Sequence, residues 1–412
     1  MGRMHRRTFL KVTGAAAAAG ALAWPGARRF ALAATPETIK IGFPIPLTGP
    51  YGTEAKDQEA GATMAVEEFN AKGGVLGRKV ELVVRDDQLK PGEGAKRAKE
   101  LIENEKVHFM AGALSAAVQM AINEQTKKVK MLYMSISQSN EITAKPDSSP
   151  WTFHEALNPF MTTQAAGAWA VQNLGKRWYF ITADYAFGNQ LLDGLRRVLK
   201  ARGGTDLGNA SHPLGTTDYS AFLPKVRDLK PDVLVLNNFG KDQVNSVKQA
   251  HSFGIKEQTR ILCPVILLTA RREGGAEAFN GVYGGTSFYW ELGDSVPSAK
   301  RFVETFQKRW GRPPSDYAGY AYSGIREILT GAELAKGLDS DKVAGALEGR
   351  TYDNYKGKQW WRKCDRQSFQ DIWVVKSREP GKVKGEWGFF DVVGRVEGNE
   401  ALERSCKELG QA

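Results

Sequence analysis

The sequence predicts an α/β protein of two sheet-based lobes, and three observations carry that reading. The first is the stretch 39–88. An apolar run at 39–47 ends in the turn signal Thr48-Gly49-Pro50. Ala62, Ala65, Val66 and Phe69 then fall at i, i+3, i+4 and i+7, as one buried helical face requires. Gly73-Gly74 stops that helix, and 80–85 alternates like a strand before Asp86-Asp87. The second observation is that this order of short apolar run, loop and helix repeats along the chain in two consecutive series, which implies parallel βαβ units. The third is length: 412 residues supply two or three domains' worth of core. Ligands bind outside the carboxyl edges of parallel sheets. The loop 48–53 is therefore a candidate lip of a site.

In chain order, the N-terminus comes first. Arg3, Arg6, Arg7 and Lys11 precede an alanine-rich apolar stretch at 12–24, and Ala31-Leu32-Ala33 gives a small-x-small cleavage site. That is the layout of a secretory signal, too short to span a bilayer. Arg6-Arg7-Thr8-Phe9-Leu10-Lys11 is similar to the twin-arginine export motif, an ordinary Sec signal being the plainer alternative. The formal charge of +11 looks at first like a nucleic-acid signal. Cleavage near Ala33 removes six basic residues and no acid, leaving +5, a field that suits an anionic ligand without specifying one. Hydrophobic content of 42% and charged content of 25% are ordinary for a globular chain. No second segment approaches spanning length, so the mature protein is expected outside the membrane, in the periplasm.

The first series continues with a charged helix at 95–105, a strand at 107–114, a helix at 117–127 and a strand at 131–135. A Pro/Ser-rich connector at 145–150 is a candidate domain edge. The second series runs through a helix at 162–174, a strand at 178–183, a helix at 189–201, a strand at 233–236, a helix at 241–253 and a strand at 260–264. Amphipathic helices follow at 297–310 and 319–334, then a less regular part with a strand-like 371–376. Three cysteines survive cleavage. In an oxidising compartment a pair is expected to bridge; Cys364, in a polar segment, and Cys406, near the C-terminus, form that pair, with Cys263 a buried thiol in an apolar strand. Three unpaired core thiols are the other reading.

Catalytic motifs are missing. The sequence has no phosphate loop, H-E-x-x-H helix, C-x-x-C pair or G-x-S-x-G elbow. His5, His108, His154, His212 and His251 are far apart and read as surface or satisfied core residues. Trp360-Trp361 read as structural aromatics, since no basic motif-bearing sheet accompanies them. Strand ends instead carry hydroxyl, amide and aromatic groups: Ser115, Ser137, Ser139, Asn140, Tyr185, Phe187, Asn237, Asn238 and Phe239. Hydroxyls and helix N-termini suit a carboxylate, and aromatics wall an apolar body. The pattern points to binding without chemistry. No cofactor or metal is expected.

Several clusters resemble the periplasmic solute-binding proteins of branched-chain-amino-acid-type ABC transporters. They are Ile39-Lys40-Ile41-Gly42, Leu47-Thr48-Gly49-Pro50, Gly61-Ala62, Asn70-Ala71-Lys72-Gly73-Gly74 with Gly77, and Asp86-Asp87. Asp184-Tyr185-Ala186-Phe187-Gly188 and Gln249-Ala250-His251-Ser252-Phe253-Gly254 support the likeness, which thins after about Asp353. The resemblance implies a type I periplasmic binding fold, two α/β lobes joined by three hinge strands near 152–155, 284–287 and 356–360. It divides the chain into a signal at 1–33, a first lobe at 36–153 and 286–357, and a second lobe at 154–285 and 358–412. It further implies a small-molecule ligand, a membrane permease as partner, no nucleic acid, a monomer and no enzymatic activity.

Carried over by position, Ser115 or Ala116 with Ser137 and Ser139 resemble the family's carboxylate-holding groups. Tyr51 lines the cleft, and Tyr185, Phe187 and Phe239 resemble walls of the second lobe. At Val265 the sequence departs from the acid that takes a ligand ammonium in amino-acid binders, and a buried ammonium without a counter-charge is costly. An aromatic or other apolar carboxylate is therefore the expected ligand. An amino acid or amide in the same transport role is the alternative, compensated by Glu54 or Glu291, as is a ligand-sensing receptor of the same fold. An exported enzyme is disfavoured by the missing motifs.

Overall fold

The apolar run after Thr38 forms β1 (Ile39–Ile45) in a computed structural model that describes residues 37–411. The expected export signal at 1–33 lies outside those residues. β2 (Val80–Asp86), β3 (Phe109–Gly112), β4 (Tyr133–Ser135) and β5 (Thr152–His154) join β1 in a parallel sheet ordered β2-β1-β3-β4-β5. Its register sets Ile45 opposite Asp86, so the loops after β1 and β2 emerge side by side. There Thr48 Oγ1 donates to Asp86 Oδ2 at 2.7 Å. Asp86 and Asp87 also accept the backbone N–H groups of Gln88 and Leu89, closing two Asx turns.

The second series supplies β6 (Arg177–Ala183), β7 (Thr205–His212), β8 (Val233–Asn237), β9 (Arg260–Val265) and β10 (Tyr283–Thr286). A small antiparallel sheet follows from β11 (Thr351–Tyr352), β12 (Gln359–Trp361) and β13 (Ser368–Phe369). β14 (Ile372–Ser377) and β15 (Phe390–Val396) then return to the second sheet, ordered β15-β14-β10-β9-β8-β6-β7. Its two edge strands, β7 and β15, have no counterpart in the sequence reading. Each buries a single residue, His212 in one and Phe390 in the other. An edge strand open to water on one flank needs no apolar alternation.

The helices Pro297–Trp310, Asp316–Ala335 and Ser340–Leu347 come late in the chain. Asp316–Ala335 nevertheless packs on Gly52–Ala71, the helix that follows β1. Gly61 sets the approach: a Cβ there would lie 2.0 Å from the carbonyl oxygen of Ala318. The chain passes between the two sheets three times, after β5, after β10 and before β14. Lys356 links these crossings. Its Nζ donates to the Ser287 carbonyl at 3.1 Å and to Gln370 Oε1, while Gln370 Nε2 donates to the Glu155 carbonyl at 2.6 Å. Burial pushes the carboxyls of Glu155 and Asp316 up and the Lys356 ammonium down.

Of the segment 358–412, expected wholly in the second lobe, β14 and β15 join that sheet. Phe389 and Trp387 lie against Arg271 and Arg272, and Leu402 packs with Met161 and Ala165, on the same side, but other parts pack elsewhere. His154 N–H donates to the Arg366 carbonyl at 3.0 Å, and Lys145 N–H to that of Leu409 at 2.9 Å. Arg404 and Gln411 donate to the carbonyls of Asn140 and Thr143, so the tail lies on the loop after β4. Cys364 and Cys406 form a disulfide, with Cα atoms 6.0 Å apart, that ties this tail to the loop after β12. Cys263 is a buried free thiol. Trp361 is fully buried, donates to Glu327 Oε2 at 3.0 Å and packs edge-on to Phe153.

Two measurements check this packing. Gly61→Val forces the two helices apart and should cost about 1–3 kcal/mol in urea unfolding, whereas Gly345→Ala, at an open position in the helix Ser340–Leu347, should be neutral or stabilise by up to about 1 kcal/mol. Unreduced protein should expose one reactive thiol, that of Cys263, only on denaturation. Reduction of the disulfide should lower stability by about 2–4 kcal/mol.

Candidate functional site

A narrow cavity lies between the two sheets at their carboxyl edges, and each of its walls comes from a residue just past a strand or at the start of a helix. Tyr51 immediately precedes the helix Gly52–Ala71, Leu114 and Ala116 follow β3, and Ser137 and Gln138 follow β4. From the second sheet come Tyr185 and Phe187, after β6, and Phe239, after β8. Tyr317 completes the lining from the first turn of Asp316–Ala335. Parallel strands all leave a sheet at the same edge.

The lobes touch directly across this cavity. The Phe239 ring lies 4.8 Å from that of Tyr51 and 5.1 Å from that of Tyr317, edge-on to both. Phe187 stands edge-on to Phe239 at 6.1 Å. The Tyr51 hydroxyl donates to that of Tyr185 at 2.6 Å. Gly240, at φ +55°, lets the backbone come this close: a Cβ there would stand 2.7 Å from the Pro50 carbonyl and 2.9 Å from the Tyr51 ring. Burial, with the Asp242 charge as a smaller contribution, raises the phenols of Tyr51 and Tyr185. Asp242 is itself buried and held up at about 6, although the Gly215 N–H donates to its Oδ2.

A second inter-lobe contact flanks the first. Thr269, on the helix Leu268–Gly274, donates to Glu54 Oε1 at 2.6 Å. Glu54 is 3% exposed, and burial lifts its carboxyl to about 7 against the opposing hydrogen bond from Thr269, with Asp57 and Glu273 adding smaller upward pushes.

Six of the nine residues carried over by position line the cavity: Tyr51, Ala116, Ser137, Tyr185, Phe187 and Phe239. Ser115, Ser139 and Val265 do not. Ser115 is the N-cap residue of Ala116–Lys128; Ser139 turns away to donate to Glu141 at 2.7 Å; Val265 is buried, its carbonyl accepting from Gln243 at 2.7 Å. Leu114, Gln138 and Tyr317 also line the cavity and carry no such signal in the sequence. Gln138 stands between the two serines singled out, but Tyr317 sits far along the chain in a helix with no strand-end signal. Among the described residues no group of His, Cys, Asp and Glu is placed to hold a metal ion. His154 is buried between Gln367 and the Ser137 carbonyl; burial lowers its pKa.

Comparison with known proteins places the chain in a family. The periplasmic binding protein family model matches residues 38–382, and a TAT (twin-arginine translocation) pathway signal sequence matches residues 3–23. A Leu/Ile/Val-binding protein homolog of Brucella abortus is 25% identical, over 75% of this chain and 80% of its own. The structure of an amino acid ABC transporter substrate-binding protein from Pseudomonas fluorescens superposes with a TM-score of 0.83 at 26% identity, covering 89% of this chain and 97% of that one. A solute-binding protein from Rhodopseudomonas palustris, in complex with 3,4-dihydroxy benzoic acid, shares the fold with a TM-score of 0.80 at 22% identity, over 88% and 98% of the two chains.

The chain belongs to the periplasmic binding protein family. It is an exported periplasmic protein of type I fold, a small-molecule-binding component of an ABC transporter and not an enzyme. No helix among the described residues is long and apolar enough to cross a membrane.

The two inter-lobe contacts make separable predictions. Tyr51→Phe removes the hydrogen bond and keeps the ring, so it should shift the lobes toward an open, larger radius of gyration in small-angle scattering, at a cost of about 0.5–1.5 kcal/mol. Glu54 takes up a proton when it is buried between the lobes, because its pKa there lies above the ordinary 4.5. Closure is thus opposed by ionisation at pH 8 and relieved as pH falls through 7 toward 4.5. Scattering should show a more compact protein at pH 5.5 than at pH 8, a difference that Glu54→Gln should flatten.

Proposed function

We propose that this protein captures a small aromatic or other apolar carboxylate in the cavity between its lobes and delivers it to the membrane permease of an ABC importer. The observation that carries this reading is the character of the lining. Five of the nine lining residues are aromatic, Tyr51, Tyr185, Phe187, Phe239 and Tyr317, and none bears a charge. Aromatic walls supply area for a flat apolar body. The carboxylate is held by the Ser137 hydroxyl and by the N-terminus of Ala116–Lys128. No side chain caps that helix, and its dipole favours an anion.

An α-amino acid fits less well. Its ammonium needs a buried counter-charge, and the lining supplies none. Glu54, whose Oε2 has no partner among the described residues, is the one specific observation in its favour, together with the amino-acid names carried by relatives. The complex with 3,4-dihydroxy benzoic acid supports the aromatic reading by analogy of fold alone. We also take the protein to act as a monomer without a nucleic-acid partner.

A thermal-shift screen of the mature protein decides between the readings. Benzoate-type acids at 100 times their dissociation constant should stabilise it by about 2.7 kcal/mol, with leucine and valine silent; the reverse pattern would overturn the reading. Ser137→Ala should weaken carboxylate binding by about 1–3 kcal/mol, and unchanged affinity would remove Ser137 from the site.

A further inference from the structure

The cavity is not uniform in the hydrogen bonds it offers. Ser137 and the helix start at Ala116 present donors. Gln138, in the wall beside them, is spent differently: its Nε2 donates to the Tyr317 hydroxyl at 3.1 Å, and its Oε1 is buried without a partner among the described residues. The Tyr51–Tyr185 pair is mixed. Tyr51 uses its one proton on Tyr185, so the phenol oxygen of Tyr51 is left with lone pairs only, while Tyr185 keeps its own proton. Asp242, two residues past the Gly240 that abuts the Tyr51 ring, is fully buried, with Oδ1 unpartnered among the described residues and a charge that both phenols feel. A carboxylate placed against Gln138 Oε1 would meet an acceptor and no donor.

Buried polar groups left without partners are costly, and a site built to pair with a ligand donor rejects the analogue that lacks it. We propose that Gln138 is a specificity-determining residue and that the ligand carries, besides its carboxylate, a hydrogen-bond donor on the apolar body, a ring hydroxyl or amino group, which Gln138 Oε1 accepts. This rests on the reading of the cavity as an aromatic-acid site and narrows it to donor-bearing acids. Asp242 acts through the tyrosine pair as a positioning residue. Its negative field disfavours a second acid at this part of the cavity. The donor requirement also explains how a cavity without charged walls would discriminate between rings of equal size.

Isothermal titration of the mature protein with a matched series tests it: benzoate, 3- and 4-hydroxybenzoate, and 3- and 4-methylbenzoate. Methyl and hydroxyl groups are close in size, so their ratio isolates the hydrogen bond from the volume. At least one hydroxy acid should bind roughly tenfold or more tightly than its methyl isostere. Gln138→Met, which keeps the length of the side chain without its amide, should bring that ratio close to one. Asp242→Asn should reduce it in part, a shift in selectivity that loss of fold alone would not produce. Equal affinities for hydroxy and methyl acids in the unaltered protein would overturn the donor requirement while leaving the aromatic-acid reading standing. A preserved ratio in Gln138→Met would remove Gln138 from the role. Failure of every aromatic acid to bind would sink both readings together.

Discussion

The ring of Phe239, held between Tyr51 and Tyr317, is the contact on which the rest of this molecule turns. Phe239 belongs to one lobe and the two tyrosines to the other, and edge-to-face pairs of this kind contribute about 0.5–1.5 kcal/mol each beyond the area they bury. Together with the Tyr51–Tyr185 hydrogen bond, they make the cleft self-complementary: the surfaces a ligand would touch satisfy one another. A ligand binds by replacing ring–ring contacts with ring–ligand contacts of similar kind. Its affinity is therefore set by the surplus over the contacts it displaces, and that surplus comes from the polar groups that the aromatic cluster leaves unpaired.

The framework behind the cleft is built to move without coming apart. Three crossings connect the lobes, and they share a buried polar network instead of an apolar core. Lys356 reaches the second crossing and Gln370, which in turn reaches Glu155 at the first. Removing one member of such a network leaves its partner buried and unpaired, which costs more than the intact pairing contributes. Hydrogen bonds and ion pairs also have directional preferences that packed methyl groups lack. The network thus limits the paths along which the lobes separate. The disulfide and the small sheet β11–β13 fasten the C-terminal tail to the first-lobe side of the hinge.

The parts of the fold legible in the sequence are those whose burial is periodic. β1, the helix after it, and the strands at 178–183 and 233–236 bury one face or both, and their composition says so. The edge strands β7 and β15 were not legible, because hydrogen bonding to one neighbour holds them in the sheet with little side-chain burial. The place of the C-terminal tail was hidden for a different reason: the Lys145–Leu409 backbone hydrogen bond and the Arg404 and Gln411 side chains, donating to backbone carbonyls of the loop after β4, fix it, and backbone acceptors leave no mark on composition.

The sequence by itself determined that polar and aromatic residues stand at the carboxyl ends of successive strands, and hence on one edge of each sheet, because parallel βαβ units admit no other placement. It also determined the export signal and the absence of an acid at Val265. Only the tertiary structure decided which members of each loop face the cavity. Within one loop Ser137 and Gln138 look in and Ser139 looks away toward Glu141, a choice made by loop geometry and not by residue type. It decided too that Tyr317, more than 260 positions from Tyr51, packs on the same phenylalanine, and that Asp242 is buried close enough for its charge to act on the tyrosine pair. Local pattern records what an element buries against its own sheet; what it meets across a cleft depends on how two sheets are joined. Three crossings and the close approach of Gly240 to Tyr51 make that joint here, and they bring residues distant in sequence into one site.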